Sequence, residues 1–224
     1  MLTKDDMTVK NAVELYEEIR ERGITRIGFK NVGVDYSVMK EIVERAGRHG
    51  LETYMEVVST NKKEARDSFE AGLKLGIGNL IGSTYPAMMS FAVMRSGRKT
   101  RRFPFIGRVW GHPNNLSGNF SQFREDIDNL EWLGVEGIDL LAFRYDSDPY
   151  SLLRYVVGET KLPVIVAGSI DSVEKIRELK SMGYFFFSSS YFAMRPVSTY
   201  SLIAPAMLFP TPGSSIRASM PPSL

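Results

Sequence analysis

Short apolar segments alternate with longer amphipathic segments along most of this 224-residue chain. The apolar segments have the composition of strands, and the amphipathic ones repeat apolar residues at the spacing of a helix. Predicted strands cover residues 1–3, 25–31, 52–59, 79–83, 103–110, 138–143, 163–167 and 184–187. Predicted helices cover 8–22, 37–48, 86–95 and 149–157, and three more bury Ala65, Phe69 and Leu73, then Phe123, Ile127, Leu130 and Leu133, then Val173, Ile176 and Leu179.

Two of these helices carry a start signal in the sequence. Asn61 and Glu64 have the spacing of an N-cap residue and the third residue of a helix, and Asp171 and Glu174 repeat that spacing. Between the fifth strand and the next helix, residues 112–119 are dense in Pro, Asn and Gly, which predicts a loop.

Eight predicted strands alternating with seven helices indicate an α/β protein with a single (β/α)₈ TIM barrel. A doubly wound open sheet would also alternate strands and helices. It predicts a glycine-rich dinucleotide turn after an early strand, however, and no G-x-G-x-x-G motif occurs in the chain. The barrel is therefore the favoured fold.

The composition changes near the end of the chain. The sequence has 28 Lys and Arg and 26 Asp and Glu residues, yet only Arg195 and Arg217 lie beyond residue 180. The same region is rich in Pro and Ser and has no helical periodicity after Phe192. We expect a barrel over 1–204 with an incomplete or atypical eighth helix, and a poorly ordered tail over 205–224. Barrel wall left uncovered by that helix would favour a homo-oligomer.

Composition and charge exclude several classes of function. The chain has no cysteine, a net charge of +2 and no apolar run near the ~20 residues of a membrane span. Met1 and Leu2 are followed by charged residues rather than by a signal segment, so we expect a cytoplasmic protein without a membrane partner. One basic cluster is interpreted as a solvated loop rather than a nucleic-acid site; it consists of Arg95, Arg98, Lys99, Arg101 and Arg102.

Lys30 and Glu56 are the most informative candidates, because active sites of TIM barrels lie at the C-terminal ends of the strands. In both strands the alternation of side chains places these charges on the inner face, so they are expected to form a buried ion pair. The pair could have only a structural role, in which each buried charge compensates the other. Alternatively it transfers protons, with Glu56 as the general base and Lys30 orienting it or stabilising an enolate. A Schiff-base lysine is less favoured.

Other polar residues follow neighbouring strands and are expected to contact substrate. Asp5, His112 and Arg144 form this group, although His112 could equally stabilise its own loop. His49 is expected to cap a helix C-terminus. We expect no cofactor and no metal site; one available histidine argues against zinc, and only Asp5, Asp6 and Glu56 could hold magnesium.

The last two strands carry a resemblance to a known group of proteins. The segment PVIVAGSI ends its strand at Gly168 and Ser169, and the segment GYFFFSSS ends at Ser188 and Ser189. This pattern resembles the ribulose-phosphate-binding type of TIM barrel, which includes the histidine-biosynthesis isomerase and cyclase and the acylmannosamine-6-phosphate epimerases. The resemblance implies that these four residues bind a phosphate.

Two features depart from that group. Three serines end the eighth strand where relatives usually place a glycine. The carboxylate pair on strands one and five of the histidine-pathway isomerase is absent, since the fifth strand here offers Arg108 and His112.

These observations predict an enzyme that acts on a small phosphorylated metabolite, as an isomerase, epimerase or lyase. Two alternatives remain. The barrel could be a phosphometabolite-binding sensor that lacks catalysis, or the atypical C-terminus could leave it a defective form of an active protein.

Overall fold

Ten strands and seven helices follow one another along residues 1–184, the part of the chain that the computed structural model describes. The strands are β1 (Thr3–Lys4), β2 (Met7–Thr8), β3 (Arg26–Lys30), β4 (Glu52–Val57), β5 (Asn79–Gly82), β6 (Arg101–Phe103), β7 (Arg108–Trp110), β8 (Asn115–Ser117), β9 (Ile138–Leu140) and β10 (Val164–Val166). The helices are α1 (Ala12–Arg20), α2 (Tyr36–Arg48), α3 (Lys62–Leu75), α4 (Pro86–Ser96), α5 (Phe120–Trp132), α6 (Pro149–Glu159) and α7 (Val173–Ser181).

Parallel pairing connects the strands in chain order. β3, β4, β5 and β6 form one parallel sheet, and β9 pairs in parallel with β10. A parallel bridge between Phe105 and Asp139 links the two sheets beyond the end of β6. At the opposite edge, the amide of Leu2 donates to the carbonyl of Gly28 at 2.7 Å. Helices follow most of these strands, as in a β/α barrel.

A small apolar cluster inside the strand layer shows how the sheet curves. Ile81, Phe103 and Ile165 are buried together, and Tyr54 packs against them. These residues come from β5, β6, β10 and β4, so strands of both parallel sheets face one interior. Two larger apolar clusters lie outside this interior. Each contains residues of strands and of helices, and they form the core between these two layers. The described residues thus have the TIM-barrel architecture that the alternation of elements predicts.

The prediction of one strand over 103–110 is wrong. Pro104 has no amide hydrogen, and Gly107 has a φ of 77°, so the strand stops after Phe103. The chain then forms an antiparallel hairpin of β7 and β8, in which Trp110 lies opposite Asn115. The region 112–119 is therefore partly a strand. Arg108 belongs to this hairpin rather than to the barrel wall.

The first predicted helix begins four residues later than its periodicity indicated. Met7 and Thr8 pair with β1 instead, across a tight turn at Asp5 and Asp6. The amide of Thr8 also donates to the carbonyl of Val32 at 2.9 Å, which fastens the hairpin to the end of β3. These hydrogen bonds to β1 and to Val32 hold Met7 and Thr8 in a strand, although the spacing of apolar residues from Thr8 onward is that of a helix.

The cap predictions have different outcomes. The Asn61 side chain accepts hydrogen bonds from the amides of Lys63 and Glu64, as expected for the N-cap of α3. At α7 the N-cap is Ser172 rather than Asp171. The rest of the eighth strand, the eighth helix, the 204/205 boundary and the tail lie outside the described residues.

No helix within residues 1–184 is both long and apolar enough to cross a bilayer.

Gly137 offers a direct test of the packing between the two parallel sheets. A Cβ added at Gly137 would lie 2.5 Å from the carbonyl oxygen of Pro163 and would overlap the ring of Phe103. We expect Gly137→Ala to lower the free energy of unfolding by about 1–3 kcal/mol, measured by urea denaturation.

Gly158→Ala is the matched control for this substitution. Gly158 lies in α6, where an added Cβ meets nothing within 4 Å. The gain in helix propensity should stabilise the protein by up to about 1 kcal/mol. Equal effects of the two alanines would contradict the described contact between the sheets.

Candidate functional site

The ammonium group of Lys30 lies at the centre of a buried cluster of charges. Its Nζ donates to Glu56 Oε1 at 3.0 Å and also to Asp6 Oδ1. The exposed fractions are 6% for Lys30, 2% for Glu56 and 5% for Asp6. Lys30 and Glu56 are direct neighbours in the parallel register of β3 and β4. The expected ion pair is therefore present, with a second carboxylate added to it.

Asp6 reaches Lys30 from the two-residue turn that joins β1 to β2. Asp5 has a φ of 49° and Asp6 a φ of 63°, the positive pair that tight two-residue hairpin turns favour and that aspartate tolerates. Thr8 holds the turn in place: its Oγ1 donates to the carbonyl of Lys30 and accepts from the amide of Lys30, both at 2.8 Å. The hairpin thus carries a carboxylate to the end of β3.

Electrostatics keep this cluster charged. Burial acts to lower the pKa of Lys30, but the Glu56 and Asp6 carboxylates outweigh it and hold that pKa above its usual value. For Asp6, burial alone would raise the pKa, while Lys30, Arg144 and the amide of Asn114 together bring it below its usual value. A lysine held as an ammonium is a poor amine nucleophile, which argues against a Schiff base.

Arg144 connects this cluster to the turn that follows β10. Its guanidinium donates to Asp6 Oδ1 at 2.9 Å, to the carbonyl of Asn114 at 3.2 Å and to Ser169 Oγ at 3.3 Å. The amide of Asn114 in turn donates to Asp6 Oδ2 at 3.2 Å. Segments distant in sequence therefore meet at Asp6.

The turn after β10 has the features expected of an anion site. Gly168 and Ser169 both have a positive φ, of 78° and 52°. Lys175, in the first turn of α7, donates to the Ser169 carbonyl at 2.8 Å and to Asp171 at 2.9 Å. Two cations, Lys175 and Arg144, thus contact Ser169. Positive charge next to a helix N-terminus favours an anionic ligand.

Asp139 is a third carboxyl group on the inner face of the barrel. It is fully buried, and neither carboxyl oxygen has a described hydrogen-bond partner of ordinary geometry. Burial and the nearby Glu56 charge raise the pKa of Asp139 well above its usual value, while Lys30 and the Gly82 amide act in the opposite direction. Burial thus favours the protonated form of Asp139.

The other predicted site residues lie at different distances from this cluster. His112 is half exposed, and its Nδ1 lies 3.9 Å from Asp6 Oδ2. Asp5 is exposed, on the outer side of the turn that buries Asp6. His49 does end α2, and its Nδ1 hydrogen-bonds the hydroxyl of Tyr16 at 2.7 Å. Ser188 and Ser189 lie outside the described residues.

The sequence did not single out three residues of this region, namely Asn114, Asp139 and Lys175, and it indicated Asp6 only as a possible magnesium ligand. Asp139 had a usable signal, since it is a carboxyl between Ile138 and Leu140 in an apolar strand. Asp6 had none beyond its place in the sequence, because its burial depends on a hairpin. Among residues 1–184 no three His, Asp or Glu side chains are arranged to hold a metal ion. The Lys30 ammonium lies between Asp6 and Glu56, two of the three residues that the sequence offered for magnesium.

An open cleft of about 480 Å³ lies beside the Ser169 turn. Its lining consists of Trp110, Pro113, Asn115, Phe143, Arg144, Tyr145, Asp146 and Ser169. Arg144 and Ser169 therefore face both the cleft and the charged cluster. Lys30 and Glu56 do not line this cleft.

No protein-family model matches the chain, and no curated protein is significantly similar to it in sequence. Solved structures share its fold. Orotidine 5′-phosphate decarboxylase from Pyrococcus horikoshii OT3 gives a TM-score of 0.62 at 11% identity, over 88% of this chain and 93% of that chain. N-acetylmannosamine-6-phosphate 2-epimerase from Clostridium perfringens gives 0.54 at 15% identity, over 79% and 76%.

A regulatory protein has a similar structure too. The glycerol uptake operon antiterminator regulatory protein from Listeria monocytogenes gives a TM-score of 0.57 at 13% identity, over 82% of this chain and 90% of that chain. At these identities the likeness concerns the fold alone. The chain has the fold of a TIM barrel.

Proposed function

We propose that the protein is an enzyme that acts on a small phosphorylated metabolite by proton transfer, as an isomerase, an epimerase or a lyase. One observation carries the proposal. A buried cluster of acids and bases lies at the C-terminal ends of the strands, and Arg144 joins it to the Ser169 turn. A phosphate and a proton-transfer group would thus be held by the same side chain.

Phosphate binding is assigned to the turns after the last two strands. Gly168 and Ser169 would offer backbone amides and a hydroxyl, and the resemblance adds Ser188 and Ser189. Arg144 and Lys175 already contact Ser169 and would supply the positive charge. This choice of donors follows the general chemistry of phosphate sites at helix N-termini.

Glu56 is the proposed general base. It would take a proton from a carbon next to a carbonyl, and the electron pair of that C–H bond would move to the carbonyl oxygen to give an enolate. An ammonium has three N–H donors, and Lys30 directs two of them to Asp6 and Glu56, so the third is left to stabilise the enolate oxygen. Returning the proton at a different carbon or on the other face gives isomerisation or epimerisation.

The environment of Asp139 supports this assignment. A carboxyl group with a raised pKa beside a second carboxyl group is a pairing suited to acid and base roles. His112 and Asp5, near the outer side of Asp6, are proposed contacts for the rest of the substrate.

A phosphometabolite-binding regulator is the second candidate. The open cleft does not include Lys30 or Glu56, and both side chains are almost completely buried. A regulator needs the phosphate site and the cleft but no proton transfer. The fold is also compatible with either function, since both enzymes and a regulatory protein share it.

Replacing Glu56 by Gln tests the proposed base. Solvent deuterium exchange at carbon is followed by NMR for a panel of ketose and aldose phosphates. We expect exchange with at least one compound for the native protein, and a loss of at least about 10²-fold in Glu56→Gln because general-base catalysis is removed. Inorganic phosphate should raise the melting temperature of both proteins equally.

A second glutamate variant is the control for this experiment, and the native protein itself separates the two candidate functions. Glu64→Gln changes an exposed glutamate that bonds to Ser59 on the outer side of α3, and it should leave exchange unchanged. A Glu56→Gln variant with native exchange rates would remove Glu56 from the mechanism. Phosphate binding without exchange in the native protein would favour the regulator.

A second prediction concerns pH and Asp139. The unfolded carboxyl ionises near 3.8, whereas the folded one stays protonated to a much higher pH. Between those limits the folded state binds more protons, so the free energy of unfolding should fall as pH rises, by up to about 1.4 kcal/mol per pH unit. Asp139→Asn should remove this fall, as measured by urea denaturation from about pH 2 to pH 8.

Asp67→Asn provides a control of opposite sign. A hydrogen bond from Lys63 lowers the pKa of Asp67 on the exposed side of α3, so its stabilisation is present above the unfolded pKa and is lost in acid. Parallel curves for native protein and Asp139→Asn would show that Asp139 ionises normally in the fold.

A further inference from the structure

The open cleft beside Ser169 is where the part of the ligand remote from its phosphate would bind. We propose that it binds the ring of a cyclic sugar phosphate, with one face of the ring stacked on Trp110. This inference rests on the phosphate site of the proposed function, at the Ser169 turn, and not on proton transfer at Glu56, which does not line the cleft. The volume of about 480 Å³ falls within the range of small-ligand sites.

Trp110 is a large aromatic side chain that remains half exposed. It is 51% exposed at the end of β7, whereas most large apolar residues of the described chain are buried. The hairpin that carries it is held by its own side chains: Asn114 Nδ2 donates to the Gly111 carbonyl at 2.9 Å, and Asn115 Nδ2 to the Pro113 carbonyl at 3.0 Å. Trp110 therefore forms a platform whose backbone is already ordered.

Two further aromatic residues that line the cleft, Tyr145 and Phe143, are also held by contacts with the rest of the protein. The Tyr145 hydroxyl donates to the Gly118 carbonyl at 2.8 Å, and the Tyr145 ring packs edge-on against Phe123. Phe143 packs edge-on against Tyr150 and lies 5.1 Å from Lys175 Nζ. These contacts hold both rings in place, so the walls can receive a rigid ligand without large rearrangement.

Polar groups in the cleft select the class of ring. Asp146 is exposed there, and Asn115 lies opposite Trp110 in the hairpin, so acceptors and donors surround the aromatic platform. A sugar ring presents apolar C–H groups on its face and hydroxyls at its edge, which match stacking and hydrogen bonding in turn. The negative charge of Asp146 disfavours a second phosphate at this end.

Tryptophan fluorescence reports directly on this contact, because the chain has only two tryptophans. Trp132, at the end of α5, is 85% exposed and does not line the cleft. In a Trp132→Phe variant the emission comes from Trp110 alone. Titration with glucose 6-phosphate should change that emission, and the affinity should exceed that for glycerol 3-phosphate by about tenfold.

A pair of alanine variants provides the matched comparison, with binding followed by thermal shift. Trp110→Ala should lower the affinity for glucose 6-phosphate about tenfold, to that for glycerol 3-phosphate, and leave the affinity for inorganic phosphate unchanged. Trp132→Ala should alter none of the three affinities.

The outcomes separate this inference from the proposed function. Equal affinities for glucose 6-phosphate and glycerol 3-phosphate, with no change in Trp110 emission, would overturn the ring site and leave the phosphate site standing. Tighter binding of phenyl phosphate than of glucose 6-phosphate would replace the sugar ring by an aromatic one. Binding of no phosphorylated compound would overturn both the ring site and the proposed function.

Discussion

The burial of one ammonium group governs the arrangement at this end of the barrel. Removing a charge from water is costly unless partners of opposite charge replace the solvent, and Lys30 finds Glu56 on the neighbouring strand and Asp6 on the β1–β2 hairpin. The second partnership depends on the tight β1–β2 turn, whose left-handed backbone at Asp5 and Asp6 carries the Asp6 carboxylate to Lys30. The N-terminal hairpin is thus fastened to the barrel wall by charge as well as by the backbone.

The same cluster extends across the mouth through Arg144. This arginine shares Asp6 with Lys30 and also contacts Ser169, so an anion bound at the Ser169 turn would alter the charge felt by the buried groups. Burial raises the pKa of Asp139 and so favours its protonated form, which would make a carboxyl group available as an acid.

Sequence patterns predict the wall of the barrel better than its rim. Alternation within β3 and β4 correctly placed Lys30 beside Glu56, because strand geometry dictates which side chains share a face. The same reasoning would have found Asp139. Asp6 and Arg144 were not predictable as partners, since they are 138 residues apart and meet only after the β1–β2 and β7–β8 hairpins have formed. Those hairpins replaced a predicted helix start and part of a predicted strand, through contacts that no local periodicity encodes.

A double-mutant cycle on Lys30 and Glu56 tests the central claim most directly. Lys30→Met leaves the buried Glu56 carboxylate without its cation, and we expect it to lower the free energy of unfolding at pH 7 by about 3–5 kcal/mol. Adding Glu56→Gln to Lys30→Met should recover much of the lost free energy of unfolding, because the unpaired buried carboxylate is removed. A double variant whose loss equals the sum of the two single losses would show that the pair does not interact, and the account of the site would fail.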